Sequence, residues 1–171
     1  MLRLSASLLN QPVLSLRTGG QVAITQTAII NPNNLKIEGF LCQDSVDKKQ
    51  LVLLYQDIRD MIPKGFVVND HEVLAEPGEL VRLKDIISIK FELIGKSVET
   101  VSKSKVGKVN DYAVESETMY IQKLYVAQSL LKSFSGGNLS VDRGQITEIT
   151  NKKIVIQDIL QGTVATAGAA A

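Results

Sequence analysis

Apolar and polar residues alternate over most of this chain with the two-residue period of strands, and only one stretch departs from it. Leu8 to Leu16 reads as a first strand, stopped at Gly19-Gly20, a pair that admits the positive φ of a tight turn. Val22, Ile24, Ala28 and Ile30 then share one face while Thr25 and Thr27 share the other, as in a half-buried strand. Asn31-Pro32-Asn33-Asn34 closes a hairpin. Leu35, Ile37 and Leu41 resume the alternation against Lys36 and Glu38, with Phe40 and Cys42 on the second face. After the polar connection Asp44 to Gln50, Leu51 to Tyr55 is continuous enough for a buried strand. The second half begins again with a strand around Ile94 to Val98, a turn at Lys103-Ser104-Lys105 and a strand from Val106. Ile121 to Ala127, Leu139 to Ile149 and Lys153 to Asp158 follow, parted by the turns Gly136-Gly137-Asn138 and Asn151-Lys152.

The exception lies between His71 and Phe91. Pro77 suits a first helical turn, Glu76 and Glu79 suit its positive end, and Leu80, Leu83, Ile86 and Ile87 recur at three- and four-residue steps. The spacing predicts an amphipathic helix between Glu79 and Ser88, its stripe docked on its own chain. A further helical turn is expected at Gln128 to Phe134. The uncharged Gly162 to Ala171 tail has little to anchor it and is expected to be disordered.

The pattern repeats. Leu8 to Val13 lies over Leu93 to Val98 at an offset of 85, and Gln56 to Asp70 aligns without a gap on Gly144 to Asp158 at an offset of 88. In the longer match Ile58/Ile146, Lys64/Lys152, Val67/Val155 and Asp70/Asp158 are identical. Two copies of one small β unit explain this, and Ile58, Val67, Ile146 and Val155 are expected to be buried at equivalent places. Gly107, inside a β-branched run, points to a bulge or a close backbone approach.

Gly95-Lys96-Ser97-Val98 followed by Val106-Gly107-Lys108-Val109-Asn110-Asp111 resembles the opening of the PRC-barrel domain, known from the photosynthetic reaction centre H subunit and the C-terminal half of a ribosome maturation factor. The resemblance implies a mainly β fold of two tandem small PRC-barrel-like barrels joined by a short amphipathic helix. Residues 1–75 would form the first barrel, 76–92 the linker helix, 93–160 the second barrel and 161–171 the tail. The first copy departs from the motif: Asn10 stands at the place of Gly95, and Val22-Ala23-Ile24 at that of Val106-Gly107-Lys108. Family members use the barrel for docking and assembly, which implies a non-catalytic role here.

At 171 residues and 44% hydrophobic content the chain can pack two small cores. A net charge of +1 sets up no global field toward nucleic acid or anionic membranes. One cysteine, Cys42, excludes an internal disulfide and fits a reducing cytoplasmic setting; no signal peptide or membrane span is expected. Cys42 reads as a small core residue, and His71, the sole histidine, as a solvated side chain without a catalytic partner. The carboxylates Asp44, Asp47, Asp57, Asp60, Glu148 and Asp158 lack calcium-loop spacing, and the paired glycines lack phosphate-loop spacing. No catalytic residue, cofactor or metal is therefore assigned. Lys96, Lys103, Lys105 and Lys108 cluster on the first hairpin of the second copy, where lysines discourage edge-to-edge pairing or meet an anionic partner.

The favoured reading is a non-catalytic interaction or scaffold module whose partner is another protein, with homo-oligomerisation left open. The candidate contact residues are Leu83, Ile87 and the four lysines. The alternative is an RNA- or ribosome-associated assembly factor using the lysine hairpin.

Overall fold

The computed structural model describes residues 1–128 and 137–158. The helical turn expected at Gln128 to Phe134 and the tail from Gly162 lie essentially outside the described residues. The described chain is mainly β, with two sheets, one short α-helix and single turns of 3-10 helix. It divides into two compact units. The first holds Met1–Phe91 together with Glu115–Tyr120, and the second holds Glu92–Val114 and the chain from Ile121 onward.

In the first unit β1 (Leu2–Leu4) precedes β2 (Pro12–Ser15), β3 (Gln21–Asn31), β4 (Lys36–Asp44), β5 (Gln50–Leu54), β6 (Ile58–Ile62) and β7 (Gly65–Val68). The sheet runs β5-β4-β3-β2-β7-β6, antiparallel throughout except where β2 meets β7 in parallel. In the second unit β8 (Ser97–Thr100), β9 (Lys105–Glu115), β10 (Ile121–Gln128), β11 (Asn138–Asp142), β12 (Ile146–Ile149) and β13 (Lys153–Ile156) follow the same plan, β11-β10-β9-β8-β13-β12, with β8 and β13 parallel.

The two sheets agree residue by residue. Val13 pairs with Ala23 and Phe66, and Val98 with Gly107 and Ile154. Both long hairpins carry two register shifts at corresponding steps, Thr25/Thr27 with Ile29/Ile30 in one, and Ile121/Lys123 with Tyr125/Val126 in the other. Each shift inserts a residue and tightens the right-handed coil of the sheet. The segment aligned at offset 88 repeats as a 3-10 turn and two strands: Tyr55–Asp57, β6 and β7 against Arg143–Gln145, β12 and β13. The long central strands match at a third offset of 84, Gln21 on Lys105 and Asn31 on Glu115, which the sequence reading did not isolate.

Two strand starts fall later than expected, for one reason. Asn10 and Gly95 both take left-handed backbone, with φ of 56° and 86°, so the chain turns before β2 and β8 rather than running extended from Leu8 or Ile94. In this turn the Asn10 N–H donates to Thr25 O and the Gly95 N–H to Val109 O, each at 2.7 Å. Glycine adopts this conformation at no steric cost and asparagine at little, so the departure at Asn10 preserves the geometry. Gly107 shows why a small residue is needed: a Cβ there would lie 1.9 Å from Ala127 O.

The cores draw on the same positions with different side chains. Phe40 and Phe66 pack with ring centroids 5.1 Å apart in the first unit, where the second has Leu124 and Ile154. The cross-strand pair Ala28–Phe40 becomes Tyr112–Leu124, so the ring moves to the other strand while both sites stay buried. The expectation for the repeat is corrected here. Ile58, Val67 and Ile146 are half-buried, and only Val155 is buried, because β6 and β12 are edge strands and the inward face of β7 and β13 carries Phe66 and Val68, Ile154 and Ile156.

The helix also differs from its expected span. Glu76 and Glu79 form a capping box around a 3-10 turn at Pro77–Glu79, and Leu80 leaves helical backbone at φ −92°, ψ 77°. The α-helix proper, α1, is Lys84–Ile89, ended by Lys90 at a left-handed φ of 49°. It belongs to the first unit and packs near β3.

Phe66→Ala and Ile154→Ala are expected to cost about 2–5 kcal/mol by urea unfolding, whereas Ile58→Ala and Ile146→Ala cost about 1 kcal/mol. Equal losses at all four positions would contradict this assignment of faces.

Candidate interaction surfaces

The helical stripe places its residues along a groove. Leu80, Leu83 and Ile86 form one wall, Leu54 and Tyr55 at the end of β5 form another, and Glu38, Glu79 and Arg82 supply polar groups, around a volume of about 520 Å³. All three wall leucines and isoleucines of the stripe are half-buried, and Val81 beside them is 81% exposed. Ile87 is half-buried without lining the groove, so the two apolar residues singled out from sequence separate in role.

One side of the groove is stiffened by a cation held between rings. Lys36 Nζ sits 4.0 Å from the centroid of Tyr55 and 5.6 Å from that of Tyr120. Desolvation lowers the Lys36 ammonium's pKa, but the Tyr55 hydroxyl, together with Glu38 and Tyr120, outweighs it and leaves the group above its ordinary value. Tyr55 therefore presents one face to a fixed charge. A second cleft of about 500 Å³ sets Arg3 and Arg59 among Asp60 and Glu117, with mixed charge and no single polarity.

The four lysines fall on the β8–β9 hairpin. Lys103 occupies its turn, Lys105 opens β9, and Lys108 pairs across from Ser97; all three are exposed. Lys96 is half-buried and donates to Asn151 O at 2.7 Å, and desolvation holds its pKa below the ordinary lysine value against a weaker opposing pull from Glu92. The edge-protection explanation for this cluster does not survive the topology. β8 lies between β9 and β13, and β9 between β8 and β10, so neither strand is an edge.

His71 has a partner that sequence reasoning missed. Its Nε2 lies 2.7 Å from Asp44 Oδ1, joining the end of β4 to the 3-10 turn at His71–Val73. The two residues are 27 apart in the chain, and no local signal links them. Asp44 is 4% exposed and its other oxygen accepts the Asp47 N–H at 3.1 Å. Desolvation raises this carboxyl, but the Asp47 N–H and His71 overcome it and bring the pKa from 3.8 to about 2. The ring is 46% exposed and its Nε2 is committed to Asp44.

Cys42 is fully buried on β4, and burial pushes its thiol up to about 12, so it stays protonated at neutral pH. Among the described residues no group of three or more His, Cys, Asp or Glu side chains is placed to hold a metal ion, and no helix is long and apolar enough to cross a membrane. No protein-family model matches the chain, and no curated protein matches it.

Asp44→Ala is expected to cost about 1–3 kcal/mol, because the Asp47 N–H and the His71 ring both lose their acceptor. A carboxyl depressed on folding stabilises the native state above its unfolded pKa, and that contribution disappears as pH falls through the folded value. Acid titration of Asp44→Asn against the parent should therefore show a stability gap at neutral pH that closes between about pH 4 and about pH 2.

Proposed function

We propose that the protein is a non-catalytic interaction or scaffold module of two PRC-barrel-like units, and that its partner is another protein received along the groove beside α1. The observation that carries this reading is an apolar groove wall that is incompletely covered: Val81, which also lines the groove, stands 81% exposed beside the half-buried Leu80, Leu83 and Ile86. Fully burying one such side chain is worth about 1.5–3 kcal/mol, so an apolar partner segment gains affinity from several at once. Glu38, Glu79 and Arg82 at the same groove supply the polar rim that protein interfaces use for orientation. The groove wall is an ordered surface, with the capping box fixing the 3-10 turn and the Lys36 contact fixing Tyr55. This favours docking without a large ordering cost.

Val81→Lys should leave the thermal midpoint unchanged while abolishing capture of the partner from native lysate, read by mass spectrometry. Leu83→Ser should weaken capture and also lower stability, because Leu83 is half-buried. If both variants retained the partner, and Leu83→Ser with Ile87→Ser only destabilised the fold, the stripe would be an internal seam and this reading would fail.

A further inference from the structure

β5 is an edge strand, and one of its outward backbone positions is already taken by the chain itself. The Val52 N–H donates to Ala75 O at 2.8 Å and the Ala75 N–H to Val52 O at 3.0 Å, which makes an isolated antiparallel bridge. The linker goes no further along the strand, because 3-10 turns at His71–Val73 and Pro77–Glu79 bend it on either side of Ala75.

The next outward position on β5 is open. β4 and β5 pair from Gln50 to Leu54 without a register shift, so backbone groups alternate in direction along the strand and Leu54 points to the same side as Val52. The Leu54 N–H has no acceptor among the described residues. Leu54 also lines the groove of about 520 Å³, together with Leu80, Val81, Leu83 and Ile86. An edge N–H left to water is ordinary in polar surroundings. Here it stands beside an apolar wall on which Val81 is 81% exposed.

That combination selects the conformation of an occupant. A helix spends its carbonyls on its own N–H groups and leaves the Leu54 donor unmet. An extended segment turns carbonyls to its edges and side chains to alternate faces, so it meets the donor and the wall together. Charge selects less. Glu38 accepts from Asn31 Nδ2 and Glu79 from the Glu76 N–H, each at 3.3 Å, and Arg82 opposes both in sign, so the rim has no strong polarity.

We propose, resting on the groove as the partner's seat, that the partner enters it as an extended segment that continues the edge of β5. One of its carbonyls accepts the Leu54 N–H, and an aliphatic side chain packs against Leu80, Val81, Leu83 and Ile86. In strand addition of this kind main-chain bonds supply affinity and alternate side chains supply selectivity.

Leu54 tests the proposal at the backbone. Its φ of −73° fits proline, so Leu54→Pro removes the donor without breaking a hydrogen bond of the chain, whereas Leu54→Ala removes the side chain and keeps the donor. The probes are a blocked extended peptide, Val-Lys-Val-Lys-Val, and a blocked amphipathic helical peptide with leucines at three- and four-residue steps, each titrated into the full chain by NMR. The extended peptide is expected to bind and to slow exchange of the Leu54 amide about fivefold, the worth of one net hydrogen bond. It should bind Leu54→Pro about fivefold more weakly than Leu54→Ala, while the thermal midpoints of the two variants lie close together. A Leu54 amide already protected in the free protein, a proline variant that unfolds where the alanine variant folds, or equal peptide binding by the two would overturn strand addition. So would binding of the helical peptide alone, which would keep the groove as the seat and assign it to a helix. If neither peptide binds, the extended occupant is rejected, and the Val81→Lys capture result still decides the groove by itself.

Discussion

Each unit depends on one parallel pairing, β2 on β7 and β8 on β13, which joins the strand that opens the sheet to one that nearly closes it. Along each six-strand order the other neighbouring pairs are antiparallel. The parallel pair brings together residues about fifty apart, such as Val13 and Phe66, and so carries a loop-closure cost that the hairpins do not. A carboxylate placed just beyond the last strand secures it. Asp70 accepts from the buried Ser15 hydroxyl at 3.2 Å and pairs with Arg17 at 2.8 Å, and Asp158 is held by Ser102 and Thr100. The Ser15 and Thr100 hydroxyls are themselves buried, and each accepts an N–H of the following turn, from Thr18 and Ser104. This explains why the aspartate is identical in both copies while the residue it meets after the strand is Arg17 in one and Ser102 in the other. A carboxylate at that spot satisfies hydroxyls and N–H groups alike, and the buried groups need an acceptor whatever the surface residue is.

Where the units diverge, the divergence follows the demands of packing and solvent. Inside, the exchange of Ala28–Phe40 for Tyr112–Leu124 redistributes volume between cross-strand partners, a change that cores tolerate when the total is conserved. Outside, nothing in the sheet constrains the side chains, and there the units differ most. The first carries the apolar groove and α1, and the second carries the exposed lysines.

The duplication was legible in the chain because register is periodic. A strand that must turn one face inward cannot slip by a single residue, so insertions stay in loops and the offsets within strands stay constant. The close backbone approach at Gly107, the hairpin at Asn31-Pro32-Asn33-Asn34, the buried Cys42 and the turn chemistry of Gly19 were all readable for the same local reason. The helix was legible in composition and blurred in extent. Leu80, Leu83, Ile86 and Ile87 have helical spacing, but Gly78 and the backbone at Leu80 divide the stretch into a 3-10 turn and a shorter α1, a balance too fine for periodicity to resolve.

Sequence by itself determined the strand-rich class, the repeat and its two outer offsets, since these rest on periodicity and turn preference, which act over a few residues. Only the tertiary structure decided which strands are interior and which are edges, and with that the meaning of the lysines and the half-burial of Ile58 and Ile146. Only it joined His71 to Asp44 and Lys36 to Tyr55 and Tyr120. Those contacts link distant segments through side-chain hydrogen bonds and ring faces, and such interactions leave no period in the chain because they depend on how the sheet coils.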